Sequence, residues 1–119
     1  MEAILKKIVH YMARDGESVF QGWFRKLRDG TAKFKITRRL TQAKRGNFGD
    51  TKPVGQGVHE MRIDYGPGYR VYYANDGDMI IVLLCGGDKR TQNEDTKSAK
   101  DCWVTYKKRK AVKNADSQS

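Results

Sequence analysis

HEMRIDYGPGYRVYYA, residues 59–74, is a pair of alternating runs on either side of a Gly-Pro-Gly. In the first run Met61, Ile63 and Tyr65 share one side, and Glu60, Arg62 and Asp64 the other. In the second, Tyr69, Val71 and Tyr73 lie opposite Arg70 and Tyr72. Alternation with a period of two marks a half-buried strand, and glycines flanking a proline supply a turn. The pattern predicts a β-hairpin. A three-residue loop, Gly66-Pro67-Gly68, keeps both apolar sets on one side; it pairs Asp64 with Arg70 and Arg62 with Tyr72. A slip of one residue would turn Arg70 toward the core, so register is tightly specified. Glu60, Arg62, Asp64, Arg70 and Tyr72 then form one polar patch on a rigid element. Such a patch is either a solvated face or, because guanidinium forks suit phosphate, an anion site.

Working outward, residues 79–85, MIIVLLC, show no alternation. A strand apolar on both sides belongs inside a sheet, here between the hairpin and a first strand over residues 5–12. Lys89 and Arg90 follow it. Residues 18–30, SVFQGWFRKLRDG, read as a helix with Ser18 and Gln21 as a capping box. Its apolar face is Val19, Phe20, Trp23, Phe24 and Leu27, and Gly30 is expected to end it. A second helix over residues 31–46 has a thin inner stripe of Ala32, Ile36, Leu40 and Ala43. Lys33, Lys35, Arg38, Arg39, Lys44 and Arg45 crowd its other sides without one acid. Solubility does not require that many, and like charges at helical spacing repel. Lys33, Arg38, Arg39, Lys44 and Arg45 are therefore candidate contacts for a polyanion, with Tyr72 and Arg90 from the patch region. Residues 46–57, with four glycines and a proline, are expected as a loop. Thr91 and Glu94 suggest a capping box for a last helix, whose inner face is Ala99, Cys102, Trp103 and Tyr106.

The chain has 119 residues, 38% hydrophobic and 32% charged, which suits one globular domain. The boundaries expected are a domain over 1–110 and a polar, flexible tail over 111–119. Net charge is +10, from 24 Lys+Arg against 14 Asp+Glu, which favours nucleic acid as partner. No apolar run is long enough for a bilayer, and residues 1–17 lack the apolar core of a secretory signal. A cytoplasmic location without membrane attachment follows as an expectation. Cys85 and Cys102 are read as reduced, buried thiols. No metal-ligand spacing occurs, so neither metal nor cofactor is expected.

FQGWFRKLRDG, GNFGDTKPVGQGVHEMRIDYGPGYRVYY and LLCGGDKRTQ, in this order, resemble the RelE/ParE superfamily of toxins from toxin–antitoxin modules, most closely its HigB-like branch of addiction module killer proteins. The resemblance spans roughly residues 8–106. It implies an α+β fold: a compact domain with two N-terminal helices, a small, mainly antiparallel sheet and a C-terminal helix. It also implies a cognate antitoxin, with the ribosome and mRNA as targets. RelE and HigB relatives are ribosome-dependent mRNA endoribonucleases that arrest translation and growth. ParE relatives share the fold but poison DNA gyrase by protein binding. By position, the resemblance assigns catalytic duty to Arg62, Arg70 and Lys89. The chain departs from RelE proper by having Glu60 in place of a lysine, and QNEDT where a tyrosine stands early in the last helix.

Cleavage of this kind uses the substrate's own 2′-hydroxyl as nucleophile. Arg62 and Arg70 suit stabilisation of the phosphorane but carry protons poorly. Glu60 or Asp64 is the expected base and Lys89 the expected acid. His59 has core-side parity and is read as a structural imidazole.

Overall fold

The computed structural model describes residues 4–117. In chain order the elements are β1 (Lys7–His10), α1 (Val19–Lys26), α2 (Gly30–Lys44), β2 (Thr51–Gly55), β3 (Val58–Ile63), β4 (Tyr69–Asp76), β5 (Ile80–Asp88) and α3 (Gln92–Ser117), with a 3-10 turn, Lys89–Thr91, before α3. The sheet order is β1-β5-β4-β3-β2, with β1 parallel to β5 and the other pairs antiparallel. The fold is α+β, and β5 is central, between the hairpin and the first strand as its unbroken apolar run requires.

The hairpin forms with the faces its alternation dictates and a different register. Ile63 pairs with Tyr69, Arg62 with Arg70 and Glu60 with Tyr72, so the loop is 64–68. The shift is two residues, an even number, which leaves every side chain on its expected side. Tyr65 is the reason. Its N–H donates to the Ile63 carbonyl (2.9 Å), its carbonyl accepts from Gly68 N–H (3.0 Å), and the turn holds Gly66 and Gly68 at positive φ. The Tyr65 hydroxyl donates to Asp29 Oδ2 at 2.9 Å, tying the hairpin tip to the start of α2.

Three local expectations are corrected. Gly30 opens α2 rather than closing α1, because Asp29 is a strong cap: its Oδ1 accepts from Thr31 N–H (2.9 Å) and Ala32 N–H (3.2 Å). Residues 51–55 form an edge strand inside the expected loop, and an edge tolerates Pro53. α3 starts at Gln92, directly after Thr91 as expected, but the Thr91 hydroxyl donates to Asp95 Oδ2 instead of forming a box with Glu94, and Asp88 caps the preceding turn through Arg90 N–H (2.8 Å). The Ser18 cap is present, accepting from Gln21 N–H at 3.0 Å. α3 continues to Ser117, so the expected tail is helical over 111–117, and residues 118–119 lie outside the described residues.

Two apolar layers enclose the sheet. On one side Phe20, Ala32, Ile36 and Ala43 of α1 and α2 meet Met61, Ile63, Tyr69, Val71, Tyr73, Ile81 and Leu83. On the other, Ala99 and Trp103 of α3 cover Val58, Tyr72, Ala74, Val82 and Leu84. Gly86 and Gly87 let both layers close on the end of β5. A Cβ on Gly86 would come 2.2 Å from the Trp23 ring, and one on Gly87 would come 1.8 Å from the Asp95 carboxylate. Cys85 is buried and Cys102 half-buried; both are free thiols, and burial pushes both pKa values up. Among the described residues, no helix is long and apolar enough to cross a membrane.

Candidate active site

Period-two alternation puts Glu60 and Arg62 of β3, and Arg70 and Tyr72 of β4, on the α3 side of the sheet. There α3 changes their surroundings. Glu60 and Tyr72 are completely buried, at 0% exposure each. Arg62 and Arg70 stand directly opposite each other, an arrangement in which like charges repel. Glu60 resolves it: its Oε1 lies 3.4 Å from Arg62 Nε and 3.5 Å from Arg70 Nε. These are charge contacts without formed hydrogen bonds. Glu60 Oε2 accepts from the Tyr72 hydroxyl (3.1 Å) and from Gln92 Nε2 (3.0 Å) at the start of α3. Burial, reinforced by the Glu60 charge, pushes the Tyr72 phenol far above its ordinary value, so it stays a protonated donor. The trio carries a net charge of +1, with its carboxylate inside and its guanidinium heads outward.

Those heads open into a cleft of about 380 Å³, lined by Arg62, Arg70, Lys89, Asp64, Asp50 and the glycine-rich hairpin loop. Arg70 is further fixed by donation from Nη1 to the Gly68 carbonyl at 3.0 Å, and its side chain is only 11% exposed, against 35% for Arg62. The cleft therefore unites four residues expected to be catalytic: Arg62, Asp64, Arg70 and Lys89. Asp64 sits in the loop rather than on the strand and is exposed. It does not form the expected cross-strand pair with Arg70, whose partner is Arg62.

Glu60 is beneath this cleft, not in it. A carboxylate with no exposed surface and four neighbours does not reach a substrate hydroxyl, so Glu60 holds the arginines and is not a base. Tyr72 is likewise no RNA contact; its hydroxyl belongs to Glu60. Gln92, which completes the Glu60 shell, and Asp50, which lines the cleft, were not legible in the sequence. Gln92 was hidden by the expected cap at Thr91, and Asp50 by a segment without periodicity.

The basic residues of α2 divide. Arg39 donates to three carbonyls, those of Arg62 (2.5 Å), Phe48 (3.1 Å) and Asp50 (3.1 Å), and so clamps α2 and the following loop to β3. Those three donations make it a structural residue. Lys33 donates to the Arg25 carbonyl at 3.4 Å and lies over the Phe24 ring. Arg38 and Arg45 are exposed, and Lys44 is half-buried. Arg90 forms a bidentate pair with Asp88, at 3.2 and 2.9 Å, which pulls the Asp88 pKa down. The histidines are outside the cleft. His10 Nδ1 lies 2.7 Å from Ser18 Oγ, with its pKa lowered by burial, and His59 stacks on Tyr73 at 5.3 Å between centroids.

Residues 22–111 match the family described as phage derived protein Gp49-like (DUF891). A curated Haemophilus influenzae protein, described as uncharacterized, is 51% identical over 81 residues, which is 68% of this chain and 82% of its own.

Proposed function

The chain belongs to the Gp49-like family of phage-derived proteins, and from that premise we propose that it is the toxin of a type II toxin–antitoxin module, a ribosome-dependent mRNA endoribonuclease of RelE and HigB type. The observation that carries this reading is the buried Glu60 shared between two cross-strand arginines that open, with Lys89, into one cleft. Fixed cations aimed at one point are what a phosphoryl centre gaining negative charge requires, and they act without reorganising. The kinship of the family with RelE-type toxins and the three sequence motifs support the same reading.

In the proposed reaction, Arg62 and Arg70 bind the scissile phosphate and stabilise the phosphorane. Asp64 takes the proton of the attacking 2′-hydroxyl, and Lys89 supplies a proton to the departing 5′-oxygen. Glu60, Tyr72 and Gln92 position the arginines. The cleft supplies charge but is open, with little to hold a ribose in line for attack. Alignment of reacting groups is worth about 7–11 kcal/mol, enough to separate silent from active. The ribosome provides it by holding mRNA, and a basic protein is drawn to the RNA around it. The partners under this reading are the cognate antitoxin, the ribosome and mRNA, met in the cytoplasm.

The test is cleavage of one transcript, free and on programmed ribosomes. Efficient cutting only on ribosomes is expected. Equal rates on both would remove ribosome dependence. Absence of cutting on either, with gyrase-linked DNA breaks in cells expressing the protein, would transfer it to the ParE-like class.

A further inference from the structure

We infer that Phe34 is a stacking platform for an unpaired base of the RNA strand that enters the arginine cleft, an inference resting on the nuclease reading above. Among the described residues, Phe34 is the one aromatic side chain that is mostly exposed, at 66%. It lies outside the inner stripe of α2, which is Ala32, Ile36 and Ala43, so the core does not account for it.

Its neighbours are cationic. Arg38, one turn further along the same helix face, lines a depression of about 300 Å³ together with Phe34, Lys35, Arg39, Gln42 and Asp64. Lys35 is steadied over the Tyr65 ring, its Nζ 5.4 Å from the centroid. Asp64 also lines the arginine cleft. Asp64 therefore borders both depressions at the hairpin tip. A strand rounding that tip would pass from Lys89, by Arg70, Arg62 and Asp64, to Arg38 and Phe34.

Cations along a track with a free aromatic face at one end are the chemistry of single-strand binding, where the cations follow phosphates and the ring takes a base. A duplex fits poorly, because its bases are already stacked. An acidic protein would meet the same cations. The sharing of Asp64 with the proposed scissile site favours the strand, and it places Phe34 to one side of the phosphate to be cut.

Binding of a short single-stranded 2′-O-methyl oligoribonucleotide, which cannot be cleaved, separates the possibilities by fluorescence anisotropy at fixed salt. Phe34→Leu keeps the apolar bulk and loses the planar face, so it is expected to weaken binding about tenfold. Phe34→Trp is expected to retain wild-type binding, which also controls for folding. Neither variant is expected to change binding of the same sequence as a duplex. Wild-type affinity in Phe34→Leu would overturn the inference. So would loss of antitoxin binding in that variant with RNA binding intact, since Phe34 would then belong to a protein interface. Binding that depends on Phe34 without cleavage on ribosomes would leave the platform standing and remove the nuclease. Cleavage on ribosomes with Phe34-independent binding would do the reverse.

Discussion

Arg39 and Arg70 lie on opposite sides of one strand pair, and both are held by neighbouring groups, yet they are held in different ways. Arg39 spends its terminal nitrogens on the carbonyls of Arg62, Phe48 and Asp50. Arg70 has its Nε 3.5 Å from the Glu60 carboxylate as a charge contact, donates from one terminal nitrogen to the Gly68 carbonyl, and lines an open cleft. A guanidinium whose donors are consumed by backbone joins segments. One that is anchored from behind is presented to a ligand. The same contrast separates Arg62 from Arg90, whose fork is closed on Asp88. What distinguishes an arginine of the site from one of the scaffold is thus the direction from which it is satisfied.

The largest effect is expected at Glu60. Glu60→Gln keeps the shape and the contacts to Tyr72 and Gln92 but leaves two arginines facing each other without compensation. Breaking a buried ion arrangement from one side costs about 3–5 kcal/mol. The urea midpoint should fall accordingly, and RNA cleavage should fall in the folded fraction as well. An unfolding free energy within about 1 kcal/mol of wild type would mean that something other than this carboxylate holds the pair.

Arg70→Ala comes next. Losing one fixed donor to a developing oxyanion costs about 100- to 1,000-fold in rate. Growth arrest and ribosomal cleavage should both fail. The burial of Glu60 adds a consequence that strand parity alone does not predict: the variant is also destabilised, because half of the carboxylate's compensation is gone. Arg62→Ala should lose comparable activity with less stability, since Arg62 is the more exposed of the two. Retention of cleavage by either variant would dissolve the shared site.

Arg39→Ala should invert this pattern. Charged hydrogen bonds to carbonyls contribute about 1.5–3 kcal/mol each and are not additive, so a loss of roughly 2–4 kcal/mol is expected. Cleavage per folded molecule should be preserved. Arg39→Lys should rescue little, because an ammonium cannot reach three carbonyls with a planar fork. A variant as stable as wild type but defective in RNA binding would move Arg39 from the scaffold to the interface.

Parity carried the sequence reading further than register did. The alternation around Gly66-Pro67-Gly68 placed Arg62 and Arg70 on one side correctly, although their partners were off by two residues. An even shift is invisible to a period of two. The cover over Glu60 was less legible. Nothing in the alternation of β3 says that α3 lies across its polar positions, and a glutamate beside an arginine reads as solvated surface. Its burial follows from the small residues that let α3 approach, Ala99 over the sheet and Gly87 under Asp95. The unbroken apolar run of β5 did reveal that both faces of the sheet are covered. The bases of α2 looked equivalent because helical spacing records which way a side chain points, not which carbonyls await it.

The smallest effect expected is at a third kind of cation, one that meets a carboxylate at the surface. Lys110 Nζ lies 2.7 and 2.6 Å from the two Asp76 oxygens, and the Tyr106 hydroxyl donates to Oδ2 at 2.8 Å. Lys110 foremost holds the Asp76 carboxyl below its ordinary value of 3.8; burial opposes it, and the smaller contribution of Tyr106 adds to the lowering. Because the folded value is depressed, the stabilisation is present above pH 3.8, where the unfolded group is also ionised, and is lost as pH falls through the folded value. The lysine side chain is 47% exposed, so solvent limits the pair to about 1 kcal/mol or less. Lys110→Ala should therefore lower stability by that amount at neutral pH, and the difference from wild type should shrink in acid until the two curves meet. Addition of salt at neutral pH should narrow it too. Parallel curves at every pH would show that Lys110 acts through packing of its stem and not through its charge.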